Sequence, residues 1–349
     1  MAISTEISRI ICRNCRTQFE FTPSDKEFLQ RVSPSLNGTL QLIPEPTLCP
    51  ACRLQRRLSY RNEFNYYQGK CAKCSKSVVT VYAQPNKCPA YCHSCWWGES
   101  WDPLSSGLEY DPKRGFFEQF FELRSKVPQP AMMNDNGVTS ENCEYCQDFA
   151  FGKNCYLCTA MWQCQDCLYC TQCNHVRDIV DSVSVSVESE LVYQSAFCHK
   201  LYNCTFMSFS SGCSNCHFGM ELKGCSDCLC CYGLRQKRFH IFNKQYSESE
   251  YRKVLSAERP DTFSGQQKIL QQYREFLRQF PRRAVRQTNC EDCEGDNLFN
   301  CKSFVGRDMI NGQYCKHAEH GDSPVNCHDV THTGNPQWCY EGITPDNSY

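Results

Sequence analysis

The stretch NCEYCQDFAFGKNCYLCTAMWQCQDCLYC, residues 142–170, repeats a short pattern every twelve residues. Its units begin at Asn142-Cys143, Asn154-Cys155 and Asp166-Cys167. The same phase continues at Asp178-Ile179 and Glu190-Leu191 and, after one extra residue, at Asn203-Cys204, Asn215-Cys216 and Asp227-Cys228. Short repeats rich in Asn, Gly, Ser and aromatic residues are typical of a parallel β-solenoid, whose coils stack about 4.8 Å apart. The sequence therefore predicts a mainly β protein with a cysteine-rich solenoid over residues 142–237.

Cysteine also recurs at two further positions of the unit. Position five holds Cys146, Cys158, Cys170 and Cys231, and position eleven holds Cys164, Cys213 and Cys225. Position two accepts Ile179 and Leu191, which cannot bind a metal ion, so we expect most of these cysteines to be small core residues. Two alternatives stay open. One is a series of zinc knuckles that uses Cys143/Cys146 with Cys155/Cys158 and Cys164/Cys167 with Cys170/Cys173, and the other is a disulfide-stapled coil.

The pattern resumes less regularly near the C-terminus, so we assign residues 289–349 to a continuation of the solenoid. The later units begin at Asn289-Cys290, Asn300-Cys301, Tyr314-Cys315, Asn326-Cys327 and Trp338-Cys339. Four histidines lie among them: His317, His320, His328 and His332. A Cys/His metal site is one interpretation, and scattered histidines at exposed corners of the coils are the favoured one.

Residues 238–288 form a helical insertion between the two parts of the repeat. Ser247 with Glu250 predicts a capping box at the start of one helix, and Ser264 with Gln267 predicts the start of another. Apolar residues at helical spacing predict that the second helix docks on the solenoid. Residues 237–289 carry a net charge of +7, between neighbouring segments of −4 and −7. The candidate residues for binding nucleic acid or an acidic partner are Lys268, Arg274, Arg278, Arg282, Arg283 and Arg286; the competing interpretation is a solvated helix that covers a solenoid edge.

Four Cys-x-x-Cys pairs stand in the first hundred residues. Cys12, Cys15, Cys49 and Cys52 form one set, within residues 1–62, and Cys71, Cys74, Cys92 and Cys95 form another, within residues 63–102. Two thiolates at this spacing form a knuckle, and two knuckles complete a tetrahedral zinc site. The sequence therefore predicts two zinc ribbons with one structural zinc ion each, and further metal sites in the repeat region stay open.

Residues 103–141 are predicted to be an aromatic helical connector. After Asp111-Pro112 come Phe116, Phe117, Phe120 and Phe121, whose spacing indicates one helix face. We interpret this face as a buried cluster that joins the second ribbon to the solenoid. A platform on which nucleic-acid bases stack is the alternative.

The cysteine content and the N-terminal sequence indicate in which cellular compartment we expect the protein. The chain has 31 cysteines in 349 residues, and an odd number cannot pair completely. The N-terminus, MAISTEISRI, lacks the basic and apolar regions of a signal peptide, and no run approaches the ~18 apolar residues of a membrane span. We therefore expect a cytoplasmic protein without membrane contact.

Two stretches carry a resemblance to known families. ICRNCRTQFEFTPSDKEFL (11–29) with LCPACRLQRR (48–57) resembles a family of probable zinc-ribbon domains, although the stretch SPSLNGTLQLIPEP (33–46) is longer than that family's usual loop. Through CWWGESWDPLS (95–105) and FHIFNKQYSESEY (239–251), the whole chain is similar to a cysteine-rich zinc-ribbon protein family of environmental, candidate-phyla bacteria that has no established activity. The resemblance implies zinc binding and no reaction.

Three classes of function compete. The first is a non-enzymatic scaffold or adaptor that binds a macromolecule, and the second is a nucleic-acid-binding protein. The third is a metal-dependent or thiol enzyme. The sequence contains no P-loop, G-x-G-x-x-G, His-Glu-x-x-His or G-x-S-x-G motif that would support it. We choose the scaffold, with nucleic acid as the favoured partner and without a small-molecule substrate.

Overall fold

The computed structural model describes residues 7–59, 62, 65–83, 88–301, 305–310, 316–322 and 342, with the backbone alone at 31, 32, 297, 299, 305–310 and 316–322. The chain divides into two compact units. One contains residues 1–62 and 282–349, and the other contains residues 63–281.

The N-terminal part of the first unit is a small ribbon. Its elements are β1 (Ser8–Ile11), β2 (Gln18–Phe21), α1 (Pro23–Val32), β3 (Ser35–Leu36), β4 (Thr39–Leu40) and α2 (Pro50–Leu58). The pairs β1–β2 and β3–β4 are antiparallel. Helix α1 begins where Thr22 and Asp25 form a capping box, which satisfies backbone N–H groups that the first turn leaves unpaired. Phe21, Phe28 and Leu29 bury their side chains together beside this helix.

The second unit begins with a similar ribbon and the connector. The elements are β5 (Tyr67–Lys70), β6 (Ser77–Thr80), β7 (Ala90–Tyr91), α3 (His93–Trp96), a 3-10 turn (Pro103–Ser106), α4 (Phe116–Lys126) and β8 (Gln129–Pro130). Strands β5 and β6 pair antiparallel, and β7 pairs parallel with β8. The Tyr66 hydroxyl lies 2.9 Å from Thr159 Oγ1, so the ribbon also contacts the solenoid through side chains.

The predicted burial of the four phenylalanines is wrong. They are 47–71% exposed, and the helix buries Gln119 instead. The spacing placed them correctly on one helix face, but that face points to solvent, and the buried Gln119 side chain bonds to the backbone of Asp111 just before the helix. They do not form the cluster that we expected between ribbon and solenoid.

The predicted parallel β-solenoid is confirmed. Its strands are β9 (Gln147–Ala150), β10 (Thr159–Gln165), β11 (Asn174–Val180), β12 (Val183–Tyr193), β13 (Ala196–Ser208), β14 (Ser211–Met220), β15 (Ser226–Tyr232) and β16 (Arg238–Ile241). Each strand pairs in parallel with the next, mostly at an offset of twelve residues, as Cys164 pairs with Val176. A short antiparallel strand, β17 (Lys244–Gln245), pairs with β16 and ends the sheet.

Each coil contains four triplets. From Asp148 to Cys230, a residue with left-handed backbone recurs at every third position apart from one extra residue at 188, and the residue that follows each triplet's left-handed position points inward. The inward positions are buried without exception from Cys143 to Cys231. Left-handed backbone is least unfavourable for Gly, Asn and Asp, which explains the Asn or Asp at the first position of most units. The predicted positions two, five and eleven are three of the four inward positions.

One repeat boundary differs from the prediction. The extra residue lies before Glu190 rather than after Leu191, because the offset changes from twelve to thirteen between Asn174 and Val176 of β11. Two consecutive left-handed residues, Val187 and Glu188, accommodate it. Val192, 1% exposed, therefore pairs with Ile179 in the core, and Leu191 is 47% exposed. The argument that an aliphatic residue fills a cysteine position holds, with Val192 in place of Leu191.

The inward side chains fit one another in size. Gly152 follows Phe149 in the first coil, and a Cβ atom on Gly152 would overlap the Phe149 ring. A Cβ atom on Gly219 would come within 2.6 Å of Leu222 and 2.7 Å of Met207. Because the core is only four side chains across per coil, a large residue requires a small neighbour.

Hydroxyl and thiol groups also pair with inward-facing backbone groups. The hydroxyl oxygens of Ser182, Ser189, Ser195 and Ser210 accept hydrogen bonds from backbone N–H groups of the next coil at 3.1–3.2 Å. Cys198 Sγ accepts in the same way from Ser210 at 3.5 Å. The thiols donate to carbonyl groups of the following coil, as Cys164 does to Cys173 at 3.1 Å. Cysteine and serine therefore leave fewer buried backbone groups unpaired than a small core residue without a polar side-chain atom would.

Two helices follow the solenoid in the second unit: α5 (Glu248–Glu258) and α6 (Phe263–Leu277). The predicted Ser247–Glu250 capping box is confirmed, whereas α6 begins at Thr262, which accepts from Gly265, and not at Ser264. Tyr251, Ile269 and Tyr273 pack with Phe218 and Leu229 on the solenoid. Residues 238–241, which we assigned to the insertion, still pair with β15.

The C-terminal part of the first unit is a second parallel sheet of β18 (Gln287–Thr288), β19 (Glu294–Phe299), β20 (Val305–Ile310) and β21 (Lys316–Asp322). Its strands pair mainly at an offset of eleven residues, as Glu294 pairs with Val305. The repeat predicted after residue 289 therefore does resume. Cys315, Cys327, Cys339, His328 and His332 lie outside the described residues, and so do the side chains of His317 and His320.

Within the part of the chain that the structure describes, we find no helix with both the length and the apolar character that a membrane crossing requires.

Candidate metal centres

Two groups of four cysteines stand with their sulfur atoms close together. In each group, the four Sγ atoms all lie within 4.8 Å of one another. The groups contain the residues that the spacing predicted: Cys12, Cys15, Cys49 and Cys52, and Cys71, Cys74, Cys92 and Cys95. Four thiols in this arrangement can hold a metal ion and leave no protein ligand position open.

The first Cys-x-x-Cys pair of each group forms a tight turn after a strand. The backbone N–H of Cys12 donates to the Thr17 carbonyl at 2.9 Å, and that of Cys71 donates to Lys76 at 2.9 Å. The residue after the second cysteine has left-handed backbone in both turns, with φ of 63° at Arg16 and 61° at Ser75. The turn therefore points both sulfurs of the pair to one side.

The second pair of each group begins a helix. Cys49 is the N-cap residue of α2, and Cys92 is the N-cap residue of α3. Their backbone N–H groups donate to Cys12 Sγ at 3.3 Å and to Cys71 Sγ at 3.2 Å. The two groups thus use the same local structure, although the chain between their pairs differs in length by more than fifteen residues.

These hydrogen bonds favour thiolates. Burial raises the pKa of the Cys12 thiol, but backbone hydrogen bonds from Cys49, Cys15 and Asn14 outweigh it and bring the pKa to about 6. The same balance brings the pKa of Cys71 to about 6. A hydrogen bond with Cys92, together with burial, raises the pKa of Cys95 to about 12. Each group therefore ionises in part, and a bound cation would favour ionisation of the rest.

The solenoid cysteines have a different environment. Burial raises the pKa of the Cys198 thiol to about 12, and hydrogen bonds with Cys204 and Cys213, with burial, raise that of Cys216. Every cysteine among the described residues is a free thiol, so no disulfide staples the described coils. Among these residues, the groups of three or more closely spaced metal-binding side chains are the two ribbon sets. The geometry does not bring the proposed solenoid knuckles together as four-ligand sites.

The six predicted partner-binding residues fall into both units. Lys268, Arg274 and Arg278 lie on or at the end of α6 and are exposed, and Lys268 pairs with Glu258 at 2.9 Å. Arg282, Arg283 and Arg286 lie in the other unit, where Arg286 pairs with Asp296 at 2.9 Å. Helix α6 therefore brings three of the six residues onto one element.

Sequence reasoning missed a cavity of about 1020 Å³ in the second unit, between the second ribbon and the first coil. Its lining includes Lys70, Lys76, His93, Asn134 and Glu144. The residues come from segments far apart in the sequence, so no local motif marks them. The wall is polar and mixed in charge, which favours a polar ligand without selecting its sign.

Comparisons with known proteins add little to these findings. No family model matches the chain, and no curated protein matches it. A solved structure from Desulfovibrio desulfuricans G20, described as a "putative acetyltransferase", is similar over 55% of this chain and 60% of that chain, with 8% identity and a TM-score of 0.13. A likeness at this level carries no argument about fold or function.

Proposed function

We propose that this protein is a non-enzymatic zinc-binding scaffold that binds a macromolecular partner, and that the partner is nucleic acid. The observation that carries the proposal is helix α6, which docks by one face and leaves arginines exposed on another. The two sulfur clusters supply the zinc-binding part of the proposal.

Zinc fits the donor set and its dimensions. Zn–S bonds of about 2.3 Å at tetrahedral angles place two sulfurs about 3.8 Å apart. The Cys15–Cys49 sulfurs are 3.6 Å apart, and the Cys74–Cys92 sulfurs are 3.7 Å apart. Four thiolates select soft metals, and tetrahedral sulfur sites are typical of zinc or iron. Zinc would stabilise each ribbon and would have no open position for catalysis.

Nucleic-acid binding is supported by the way α6 is held. Ile269 and Tyr273 are buried against the solenoid, which fixes the rotation of the helix about its axis. Arg274 and Arg278, one turn apart, are then exposed together. The part of segment 237–289 in the second unit, residues 237–281, has nine Lys/Arg against five Asp/Glu in a chain of net charge −1, and exposed positive charge attracts phosphate groups.

The enzyme alternative gains no support from the described residues. The two sulfur clusters already provide four protein ligands each, and a catalytic zinc site keeps a position open. Burial raises the pKa of the Cys198 and Cys230 thiols, whereas a nucleophilic cysteine requires a lowered one.

The experiment is binding of the full-length protein to single-stranded RNA and DNA over a series of salt concentrations. We expect the wild type to bind with a steep salt dependence, and R274Q/R278Q to lower the slope of log K against log[salt] by about 1–2. The matched control is K153Q/R177Q, which removes two positive charges that pair with Glu141 and Glu190 on the solenoid. Wild-type protein that shows no salt-sensitive binding to either polymer would refute the nucleic-acid proposal.

A further inference from the structure

Helix α4 buries a polar side chain and exposes its apolar ones, which is the reverse of an ordinary surface helix. Gln119 is 8% exposed, and its side chain accepts from the Asp111 N–H at 2.8 Å and donates to the Asp111 carbonyl at 2.9 Å. The apolar side chains face outward instead: Phe116, Phe117, Phe120 and Phe121 are 59%, 71%, 47% and 56% exposed. A soluble helix normally buries its large apolar residues, so this face indicates contact with a partner.

The four rings form one continuous surface. Phe116 contacts Phe117 and Phe120 with ring centroids 5.4 and 6.2 Å apart, and Phe120 contacts Phe121 at 6.1 Å. At 100° per residue, Arg124 lies on the same face, one turn beyond Phe120, and it is exposed. The face is therefore aromatic at its N-terminal end and cationic at its C-terminal end. We name these five residues the aromatic face.

We propose that the aromatic face binds the aromatic face of a second copy of this chain, with the two α4 helices antiparallel. In that arrangement the Phe120 rings meet at the two-fold axis, and Arg124 of each copy lies over Phe116 and Phe117 of the other. A guanidinium over an aromatic ring is attractive, and the symmetric pairing forms this contact twice.

The charges around the face favour a copy of the same helix over a polyanion or an anionic membrane. At 100° per residue Glu118 lies beside Phe121 and Glu122 lies nearly opposite the rings, and Arg114 and Lys126 pair with the two carboxylates at 2.8–3.1 Å. Both carboxylates are thus paired with cations, and Arg124 is the one cationic side chain of the aromatic face, so a polyanion would find a single favourable charge there. The antiparallel arrangement instead places each guanidinium over two rings of the other copy and aligns the two helix dipoles in opposite directions.

The size of the face predicts a reversible dimer. Because each phenylalanine presents roughly 150–250 Å², the exposed parts of the four rings amount to roughly 350–580 Å² in each copy. Two copies would bury up to about 1,200 Å², which is at the lower limit for a specific interface.

The first test is sedimentation velocity of the full-length, metal-loaded protein over a hundredfold range of concentration. We expect a monomer–dimer equilibrium, a dissociation constant raised at least tenfold in F120E, and one raised about fivefold in R124Q. The matched control is L104E, which introduces the same charge at an apolar residue that is 84% exposed in the 3-10 turn and should leave the equilibrium unchanged. An unchanged thermal unfolding temperature in F120E shows that the variant is folded. A wild type that stays monomeric throughout, or an F120E protein that dimerises like the wild type, overturns the proposal.

The second test identifies what lies against the face. A photoactivatable phenylalanine analogue at position 120 should cross-link two copies, and mass spectrometry should find the peptide around α4 joined to the same peptide. A cross-link from position 120 to residues 1–62 or 282–349 of the same chain would show that the other unit covers the face. That result also overturns the proposal, as would a cross-link to added RNA in place of a second copy.

Discussion

The cysteines of the ribbons and those of the solenoid are the same residue in two opposite environments. In the ribbons, backbone N–H groups converge on Cys12 and Cys71 and lower the pKa of each thiol to about 6. In the solenoid, burial dominates and raises the pKa of Cys198 to about 12. Both regions contain closely spaced cysteines, so spacing alone does not decide whether a thiol binds metal. In the ribbons four sulfur atoms come within 4.8 Å of one another, and this convergence is what a tetrahedral metal site requires.

Removal of a single sulfur should give the largest contrast between the two regions. We expect C12S to lose one of two bound metal equivalents and to leave residues 7–59 susceptible to protease, because structural zinc contributes about 10–16 kcal/mol to the folding of small zinc domains. C158S, in the solenoid core, should keep both equivalents. Metal analysis by mass spectrometry with limited proteolysis measures both. Metal loss from C158S, or none from C12S, would contradict the distinction.

The second-largest difference that we expect between the solenoid and the ribbons is an opposite response to pH. The Cys143, Cys170 and Cys198 thiols have a folded pKa above the unfolded value, so the folded state holds more protons than the unfolded state in alkali. The stability of the solenoid is therefore complete below about pH 9 and falls as the pH rises toward 12. The ribbons should instead lose metal in acid, because protons compete for the thiolates. Circular dichroism of the solenoid and a colorimetric zinc assay, recorded across the same pH series, test the two halves of this prediction.

The fit of inward side chains predicts a stability effect that is confined to the solenoid. G152A should destabilise the protein by about 2–3 kcal/mol, because the new methyl group overlaps the Phe149 ring. F149L in the same chain should recover most of this loss, since the pair then has nearly the original volume. Urea unfolding of the two single variants and the double variant gives the coupling energy. Additive effects would show that the two side chains do not share the space.

Pairing of backbone groups in the core gives a smaller effect. S210A should cost about 1–2 kcal/mol, because the buried Leu222 N–H loses its acceptor at 3.1 Å. S210C should be closer to the wild type, since Cys198 already accepts from a backbone N–H in an equivalent position. Hydrogen exchange at Leu222 is the direct measurement. Equal protection in S210A and S210C would mean that the thiol has no such role.

The smallest effect is expected where a solenoid cysteine is replaced by an aliphatic residue. C155V should cost about 1 kcal/mol or less, because the volume is nearly kept and the same inward position holds Ile179 and Val192 in later coils. Its thiol bonds to carbonyl groups are long, at 3.3 and 3.6 Å. Thermal unfolding and metal analysis of this variant check both parts. Loss of a metal equivalent would revive the knuckle interpretation of the repeat.

The sequence predicted the features that depend on local spacing. The eight cysteines of the two sulfur clusters followed from their Cys-x-x-Cys spacing, and the helix start at Ser247 followed from its capping box. The twelve-residue coil followed from the recurrence of Asn-Cys and Asp-Cys pairs. In each case the physical cause lies within a few residues of the motif.

What the sequence could not predict depends on contacts between distant groups. Leu191 and Val192 are both apolar, and only the two left-handed residues at 187 and 188 decide which one enters the core. Helical spacing showed that the phenylalanines of α4 share a face, but it does not show which way that face points, and in the structure Gln119 is buried while the four rings are exposed. Both Thr262 and Ser264 are good N-cap residues, and the sequence alone does not show that the helix begins after Thr262.

The buried cysteines along the solenoid provide a way to measure where its coils open locally. Cysteine stands at inward positions in most of the coils, and nearly all of these side chains are at most 2% exposed. An alkylating reagent reaches such a thiol only when its coil detaches from its neighbours, so the labelling rate of each cysteine reports the opening of one coil. Peptide mapping of labelled protein over time would thus show from which end the stack unravels, without any residue being replaced.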